Sequence, residues 1–374
     1  MNRSKFASVM LLVVFLTVFL SGCTSVGTAS SWPGASADEE IAYFSYNEQV
    51  YAIDGKNGSL IWRFPEAPDS KAQFYSPPAL GNEIVTVGSY SNSLAALDRK
   101  NGVVRWQFDG ADDRYVGSQL ITDEYVYAPN TDKYIYALDQ KGNLVWRFKT
   151  KGPNWSTPVT DGNKLFFTSM DHKIYALDFE YAFESLDIDS GGSRTLVSSP
   201  VWSVDLGAAV VADPVIDDNK IIAATVAGDV FAVDASNGNI LWEFADSDEV
   251  GSIWGAPIII EKAIFFGDES GNLFALDASS GKALWPTPYY AGAPLIAGGL
   301  KTPDGALFVT DNGNVFIIDE QKTPNPIIML DTSIFSSPVS IDGKVILSPG
   351  TNEEMFKAIN LDGNVVWNYA LKKK

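Results

Sequence analysis

The sequence predicts an all-β chain folded as an eight-bladed β-propeller of four-stranded antiparallel blades. Three observations carry the prediction. A short phrase recurs eight times at nearly constant spacing, a strand–turn–strand half-unit separates the copies, and no helical periodicity intervenes.

The phrase is plainest in "VFAVDASNGNILWEF" (230–244) and "LFALDASSGKALWPT" (273–287). Earlier copies are "VYAIDGKNGSLIWRF" (50–64), "LAALDRKNGVVRWQF" (94–108) and "IYALDQKGNLVWRF" (135–148). A fourth, "IYALD" (174–178), breaks off and resumes at "PVWSVDL" (200–206). The seventh is degraded, "VFIIDEQKTPNPIIML" (315–330), and the last is "FKAINLDGNVVWNYA" (356–370). Its aspartate stands at 54, 98, 139, 178, 234, 277 and 319, with Asn360 in the eighth place. Only the fourth interval is long, because 179–199 is inserted there. Between copies run "SPPALGNEIVTVGS", "STPVTDGNKLFFTS", "GAPIIIEKAIFFGD" and "SSPVSIDGKVILSP", each a small-x-Pro element followed by two apolar strands about a polar turn. Four short strands every ~42 residues is the signature of a propeller blade.

Each letter of the phrase has a structural reason. The aspartate ends a buried strand, where its carboxylate accepts hydrogen bonds from turn N–H groups. Gly58, Gly102, Gly238 and Gly281 suit a position with positive φ. Trp62, Trp106, Trp242 and Trp285 follow the small Ala by ten residues and Trp146 and Trp367 by nine, which suits packing between neighbouring blades, and Trp202, beyond the insertion, is read the same way. The seventh copy lacks both the Gly and the Trp, so its outer strand is expected to be irregular. The inner strand of blade 1 must come from around "SWPGAS" (31–36), and closure must rest on blade 1 packing against blade 8.

Residues 1–22 read as a signal peptide: Arg3 and Lys5, then the apolar run "FASVMLLVVFLTVFL", too short to span a bilayer comfortably. "LSGC" (20–23) resembles a bacterial lipobox, which implies cleavage before Cys23 and its lipidation; the alternative is an ordinary signal peptide or a short uncleaved anchor that happens to end in Cys. Residues 23–38 are read as a tether and 39–374 as the propeller. Thr24 after the lipid-bearing Cys implies, by that resemblance, an outer-membrane destination facing the periplasm where such a membrane exists, and otherwise the outer face of the cell membrane.

With one Cys and one His in 374 residues, no intrachain disulfide, Cys/His zinc site or two-histidine mechanism is possible. The formal charge is −19 and becomes −21 once Arg3 and Lys5 are removed, which disfavours nucleic acid as a partner. "DIDSGG" (187–192) has the beginning of a calcium loop, but Gly191 and Ser198 stand where ligands are required. His172, beside Asp171, reads as a lone surface histidine. No catalytic residue, metal site or cofactor is assigned.

Ala-x-Asp-x-x-x-Gly-x-x-x-Trp resembles the tryptophan-docking motif of the pyrroloquinoline-quinone (PQQ) repeat family, over residues from about 39 onward. The resemblance implies the eight-bladed fold and leaves two functional branches. Quinoprotein dehydrogenases carry a disulfide of adjacent cysteines against the quinone, with a calcium ion, and this chain has no second Cys. Lipoproteins of the BamB type, which assist assembly of outer-membrane β-barrel proteins, match it in length, blade count and lipobox. The expectation is therefore a monomeric, non-enzymatic, lipid-anchored scaffold with protein partners, β-barrel assembly machinery being the candidate; the alternative is a quinone- or sugar-directed redox enzyme using the channel mouth.

Candidate partner-binding residues lie in the connections between blades: Tyr75, Tyr115, Trp155, Trp254 and Phe335, with Trp32 and Tyr289–Tyr290 nearby. Exposed aromatics on a rigid scaffold suit protein partners; the alternative is ordinary packing of the blade tops. The same connections are acidic, in "EAPDSK", "DGADDR" and "ADSDEV", which suits a basic or amphipathic peptide or is simply a solvated surface.

Overall fold

A computed structural model of the chain describes residues 34–179, 186–188, 194–196, 199–245, 250–349 and 354–370. The signal peptide, Cys23, Trp32 and most of the tether lie outside the described residues, as do residues 189–192 of "DIDSGG", Ser198 and most of "ADSDEV". Eight antiparallel four-stranded sheets follow one another along the chain, each made of consecutive strands except in blade 4, where an inserted hairpin separates the third strand from the fourth. Blade 1 comprises Gly34–Ala37, Ile41–Tyr46, Gln49–Asp54 and Leu60–Phe64, so its inner strand falls inside the segment read as tether, at the position of "SWPGAS". Blade 8 comprises Val339–Ile341, Lys344–Leu347, Phe356–Ile359 and Val365–Tyr369. The first strand of each blade is innermost and the tryptophan strand outermost.

The two middle strands of a blade are apolar on both faces and almost wholly buried, because each face meets a neighbouring blade. The core is accordingly divided into eight clusters, one per seam. Within a blade the motif Ala sits directly opposite its Trp, as Ala52 opposite Trp62, and a bulge follows one rung on. The indole then leaves its own blade. Trp62 donates from Nε1 to the Arg99 carbonyl of blade 2 at 2.9 Å, and Trp106, Trp202, Trp242 and Trp285 repeat the contact onto Gln140, Ala235, Ala278 and Glu320. Each acceptor is the residue after the motif aspartate of the next blade.

The motif glycine has a second use that its turn conformation does not reveal. At Gly102 (φ 71°) an added Cβ would lie 2.7 Å from Cδ2 of Trp62, so the missing side chain is the seat on which the ring lies. The aspartate assembles that seat: Asp98 Oδ1 accepts the N–H groups of Lys100 and Asn101, and its carbonyl accepts that of Gly102.

The ring closes by the same device. Trp367 of blade 8 donates to the Gly55 carbonyl of blade 1 at 3.0 Å and lies over Gly58, while Phe44 stacks on Phe356 at 3.5 Å. Among the described residues no strand crosses between the two blades.

Blade 7 departs from expectation. Its outer strand, Pro324–Met329, is a full strand paired over five positions, with the bulge shifted by two rungs, and not the irregular segment expected. Lys322 takes the positive-φ position (63°) and holds its ammonium 5.8 Å from the Trp285 ring. Ile327, not a tryptophan, lies where an added Cβ on Gly363 would meet it. Blade 6 is the one with a reduced outer strand, Tyr289–Tyr290 plus a single bridge at Ala283, because Pro286 and Pro288 have no N–H to give the ladder. In blade 4 the insertion contributes a two-stranded hairpin, Leu186–Ile188 with Arg194–Leu196, beside the outer strand of blade 3.

Candidate interaction face

Successive inner strands lie side by side around the ring, as between blades 1 and 2 and between blades 2 and 3. The connection from each outer strand to the next inner strand therefore crosses one end of the ring before entering the channel wall. It is fastened there to the turn between the two middle strands. Phe74 N–H donates to the Asn47 carbonyl, Tyr115 to Ser89, Asn154 to Asn130, Leu295 to Asp268 and Ile334 to Asp311. Acidic side chains of those turns add a second tie: Asp132 accepts the N–H of Asp112, Asp171 that of Lys151 and Asp268 that of Gly251.

These ties set which side chain faces where. The pinned residue, two before the small residue of small-x-Pro, turns inward; Phe74, Tyr115, Asn154, Val210, Ile253, Leu295 and Ile334 are all buried. The next residue turns outward, and Tyr75, Val116, Trp155, Val211, Trp254, Ile296 and Phe335 are all partly exposed. The mouth of the channel is thus rimmed in seven blades by apolar side chains, four of them aromatic.

Four of the five sequence candidates belong to this rim: Tyr75, Trp155, Trp254 and Phe335. Tyr115 does not. It is fully buried, packed on Gly88, where an added Cβ would stand 2.3 Å from that of Tyr115, and burial pushes its phenol well above the usual tyrosine range. Val116 holds the rim position instead. The error has a physical source, since blade 3 has Gln119 where blades 2, 4, 5, 6 and 8 have the register-marking proline.

The rim residues differ in how they are held. Tyr75 packs edge-on to Tyr90 at 4.6 Å, and the Arg114 guanidinium lies 5.4 Å from the Tyr90 ring. Burial raises both phenols above their ordinary range. Trp254 donates from Nε1 to Glu269 at 3.4 Å, and Glu269 also accepts from Ser252. The Nε1 of Trp155 is buried and has no acceptor, a state that costs about 1–3 kcal/mol. Tyr290, 64% exposed, stands on the short outer strand of blade 6, with Tyr289 packed on Phe316. His172 is an exposed turn residue at φ 75°, and Asp171 beside it is occupied by Tyr175 Oη–H and Lys151 N–H, so the two form no dyad.

One feature of the mouth escaped sequence reading. Asp213 is the middle residue of "ADP" in blade 5 and leans across to blade 4, where its Oδ1 accepts the Thr157 N–H at 2.6 Å. Burial holds its carboxyl above the usual carboxylate range, against the lowering by its Thr157 hydrogen bonds. Its signal in the sequence is an acid at the x of one small-x-Pro element. Among the described residues no group of three or more His, Cys, Asp or Glu is arranged to hold a metal ion. Nor is any helix there long and apolar enough to cross a membrane.

Fold and rim together define a repeat propeller that presents an apolar mouth on a rigid ring. The family model described as outer membrane protein assembly factor BamB matches residues 20–146 and 131–369, and the chain belongs to that family. The crystal structure of BamB from Moraxella catarrhalis superposes with a TM-score of 0.67 at 16% identity, over 84% of this chain and 90% of that one. A computationally designed protein, Ika8, superposes with a TM-score of 0.69 at 12% identity, over 90% and 98%. Both likenesses concern the fold. Tetrathionate hydrolase of Acidithiobacillus ferrooxidans is 27% identical over 135 residues, which span 33% of this chain and 27% of that relative's length.

Proposed function

We propose that this chain is an exported lipoprotein, anchored through Cys23, whose channel mouth docks a protein partner at the membrane. The observation that supports this best is the rim itself: Tyr75, Val116, Trp155, Val211, Trp254, Ile296 and Phe335, all partly exposed and all backed by hydrogen-bonded turns. Apolar and aromatic groups that are already ordered lose little entropy when a partner covers them. Family membership makes the assembly machinery for outer-membrane β-barrel proteins the first partner to test, with the chain acting as a monomeric scaffold on the periplasmic side. In a cell without an outer membrane, the same anchor and rim would serve a partner at the outer face of the cell membrane.

The test is crosslinking in intact cells, followed by capture of the tagged full chain and mass spectrometry. Partners recovered with the wild type and lost with Tyr75→Ala, Trp155→Ala and Trp254→Ala support the reading. Capture that is unchanged by all three removes it.

A second reading, catalysis at the mouth, draws on the match to a tetrathionate hydrolase and on the acid Asp213. Purified chain would be given tetrathionate or, separately, PQQ, calcium and an alcohol or sugar with a reducible dye. Turnover that Asp213→Asn abolishes would favour catalysis; no turnover in either assay would remove these two reactions.

A further inference from the structure

We propose that the Asn-Gly pairs of the docking turns are sites of spontaneous deamidation, that the tryptophan docked from the neighbouring blade holds each one shut, and that Asn57, at the closing seam, is the first to react.

The sequence contains four Asn-Gly pairs, and three of them, Asn57–Gly58, Asn101–Gly102 and Asn237–Gly238, stand in the turn after the motif aspartate. The fourth, Asn312–Gly313, lies between the two middle strands of blade 7. Asparagine before glycine is the pair most open to this reaction, because glycine has no side chain to hinder its nitrogen or restrict its backbone. At the first site the Gly58 nitrogen loses its proton to solvent base and bonds to Cγ of Asn57. The bond from Cγ to the side-chain nitrogen breaks, and ammonia leaves with a proton taken from water. Water then opens the resulting succinimide at one of its two carbonyls, which leaves aspartate or isoaspartate at position 57. Nothing is oxidised or reduced, and water is the only co-reactant.

Asn57, Asn101 and Asn237 are exposed, so water and base reach all three. The turn opposes the attack itself. The N–H groups of Gly58, Gly102 and Gly238 donate to the carbonyls of Asp54, Asp98 and Asp234, each at 2.8 Å. The amides to be attacked are held as well: Oδ1 of Asn57, Asn101 and Asn237 accepts the N–H of Ser59, Val103 and Asn239 at 2.8, 3.0 and 2.8 Å. Reaction requires the glycine peptide to turn out of its bond, and an indole from another blade stands against it. An added Cβ would lie 2.7 Å from Cδ2 of Trp367 at Gly58, 2.7 Å from Cδ2 of Trp62 at Gly102 and 2.8 Å from Cδ2 of Trp202 at Gly238. Gly313 has no ring against it; the nearest atoms there are the carbonyl oxygens of Leu330 and Thr332. The three turns therefore react only as fast as their seams open.

The seams are not equal in this respect. Polypeptide links blade 1 to blade 2 and blade 4 to blade 5, so an undocked Trp62 or Trp202 stays near its seat. Among the described residues only packing and the Trp367 hydrogen bond join blade 8 to blade 1. Isoaspartate at position 57 would add a backbone atom between Asp54 and Gly58. That displaces Gly58 from the Asp54 carbonyl and from beneath Trp367, so the reaction makes permanent the opening that allowed it.

The experiment is timed incubation of the full chain in detergent at mildly alkaline pH, followed by peptide mapping with mass spectrometry. Each site's rate is divided by its own rate in the urea-unfolded chain. In the folded wild type Asn101 and Asn237 are expected to be slowed roughly tenfold or more, and Asn57 distinctly less. Trp367→Phe should raise the rate severalfold at Asn57 alone, and Trp62→Phe at Asn101 alone, with Asn312 unmoved by either. Equal folded and unfolded rates, or no rise at the paired site in a folded variant, overturn the guarding role. A rise at all sites together does the same. Faster reaction at Asn101 or Asn237 than at Asn57 in the folded wild type overturns the choice of first site. Should a tryptophan variant fail to fold, the wild type in rising sub-denaturing urea decides: Asn57 is expected to lose protection before Asn101 and Asn237, and simultaneous loss at all three overturns the proposal.

Discussion

Replacing Gly58 by Ala tests how the ring is closed. At φ 74° an L side chain costs about 1–2 kcal/mol by itself. The new Cβ would lie 2.7 Å from Cδ2 of Trp367, against an ordinary carbon–carbon contact of about 3.5–4.0 Å, so the ring must retreat by roughly 1 Å. Such a gap forfeits a quarter to a half of the local dispersion energy; for a buried indole worth about 3–5 kcal/mol this is ~1–2 kcal/mol. The same movement stretches the bond from Nε1 to the Gly55 carbonyl, now 3.0 Å, beyond hydrogen-bond range, for about 0.5–1.5 kcal/mol more. The expected cost of Gly58→Ala is thus about 3–5 kcal/mol. With Trp367 already replaced by Ala, only the backbone strain of about 1–2 kcal/mol remains. The pair should therefore be coupled by about 1.5–3.5 kcal/mol in a double-mutant cycle. Urea denaturation combined with hydrogen exchange at Phe44 and Phe356, which flank the seam, measures it. Equal costs of Gly58→Ala in the two backgrounds, within about 0.5 kcal/mol, would refute the docking argument for closure.

Three further outcomes are expected. Tyr115→Ala should lower stability by about 3–5 kcal/mol, whereas Tyr75→Ala should leave thermal unfolding nearly unchanged while weakening partner capture; the reverse pattern would contradict the register assigned to the rim. Asp213→Asn should stabilise the chain at neutral pH. Because the folded carboxyl titrates above its ordinary value of 3.8, the wild type gains stability as pH falls through that raised value. The advantage of Asn should therefore shrink between pH 7 and pH 4 in paired melts, and a constant gap would show that the acid is not desolvated. Cys23→Ala should move the protein from the membrane fraction to the soluble or unprocessed fraction, and persistence of the mature form on membranes would contradict lipid anchoring at that residue.

The blades were legible in the sequence because aspartate, glycine and tryptophan serve one seam after another, and a repeated seam repeats its letters. Individual side-chain directions were less so. Tyr75 directly precedes the small Ser76, whereas Tyr115 stands two before Gly117, and their directions are opposite because a backbone bond pins Tyr115 to Ser89. With Gln119 in the place of proline, no letter marks that difference. Lys322 shows a second limit: a non-glycine residue accepts positive φ there, so the lost glycine did not cost blade 7 its outer strand. The docking role of the glycines was invisible for a related reason. It depends on a ring from another blade, some 40 residues away in sequence, as in the Trp62 bond to Arg99.

Closure without an exchanged strand has a consequence for the order in which the blades are written. The seam between Trp367 and Gly58 uses the contact found inside the chain, as between Trp62 and Gly102, and among the described residues no blade borrows a strand from another. The polypeptide's linear order is therefore incidental to the ring. Joining the segment after Tyr369 to Gly34 by a linker like that between Phe108 and Leu120, and opening the chain within that latter connection, would give a circular permutant with all eight seams unchanged. An architecture of this kind grows or shrinks by whole blades, and it lets the rim be recomposed one residue at a time without touching the joints that hold it.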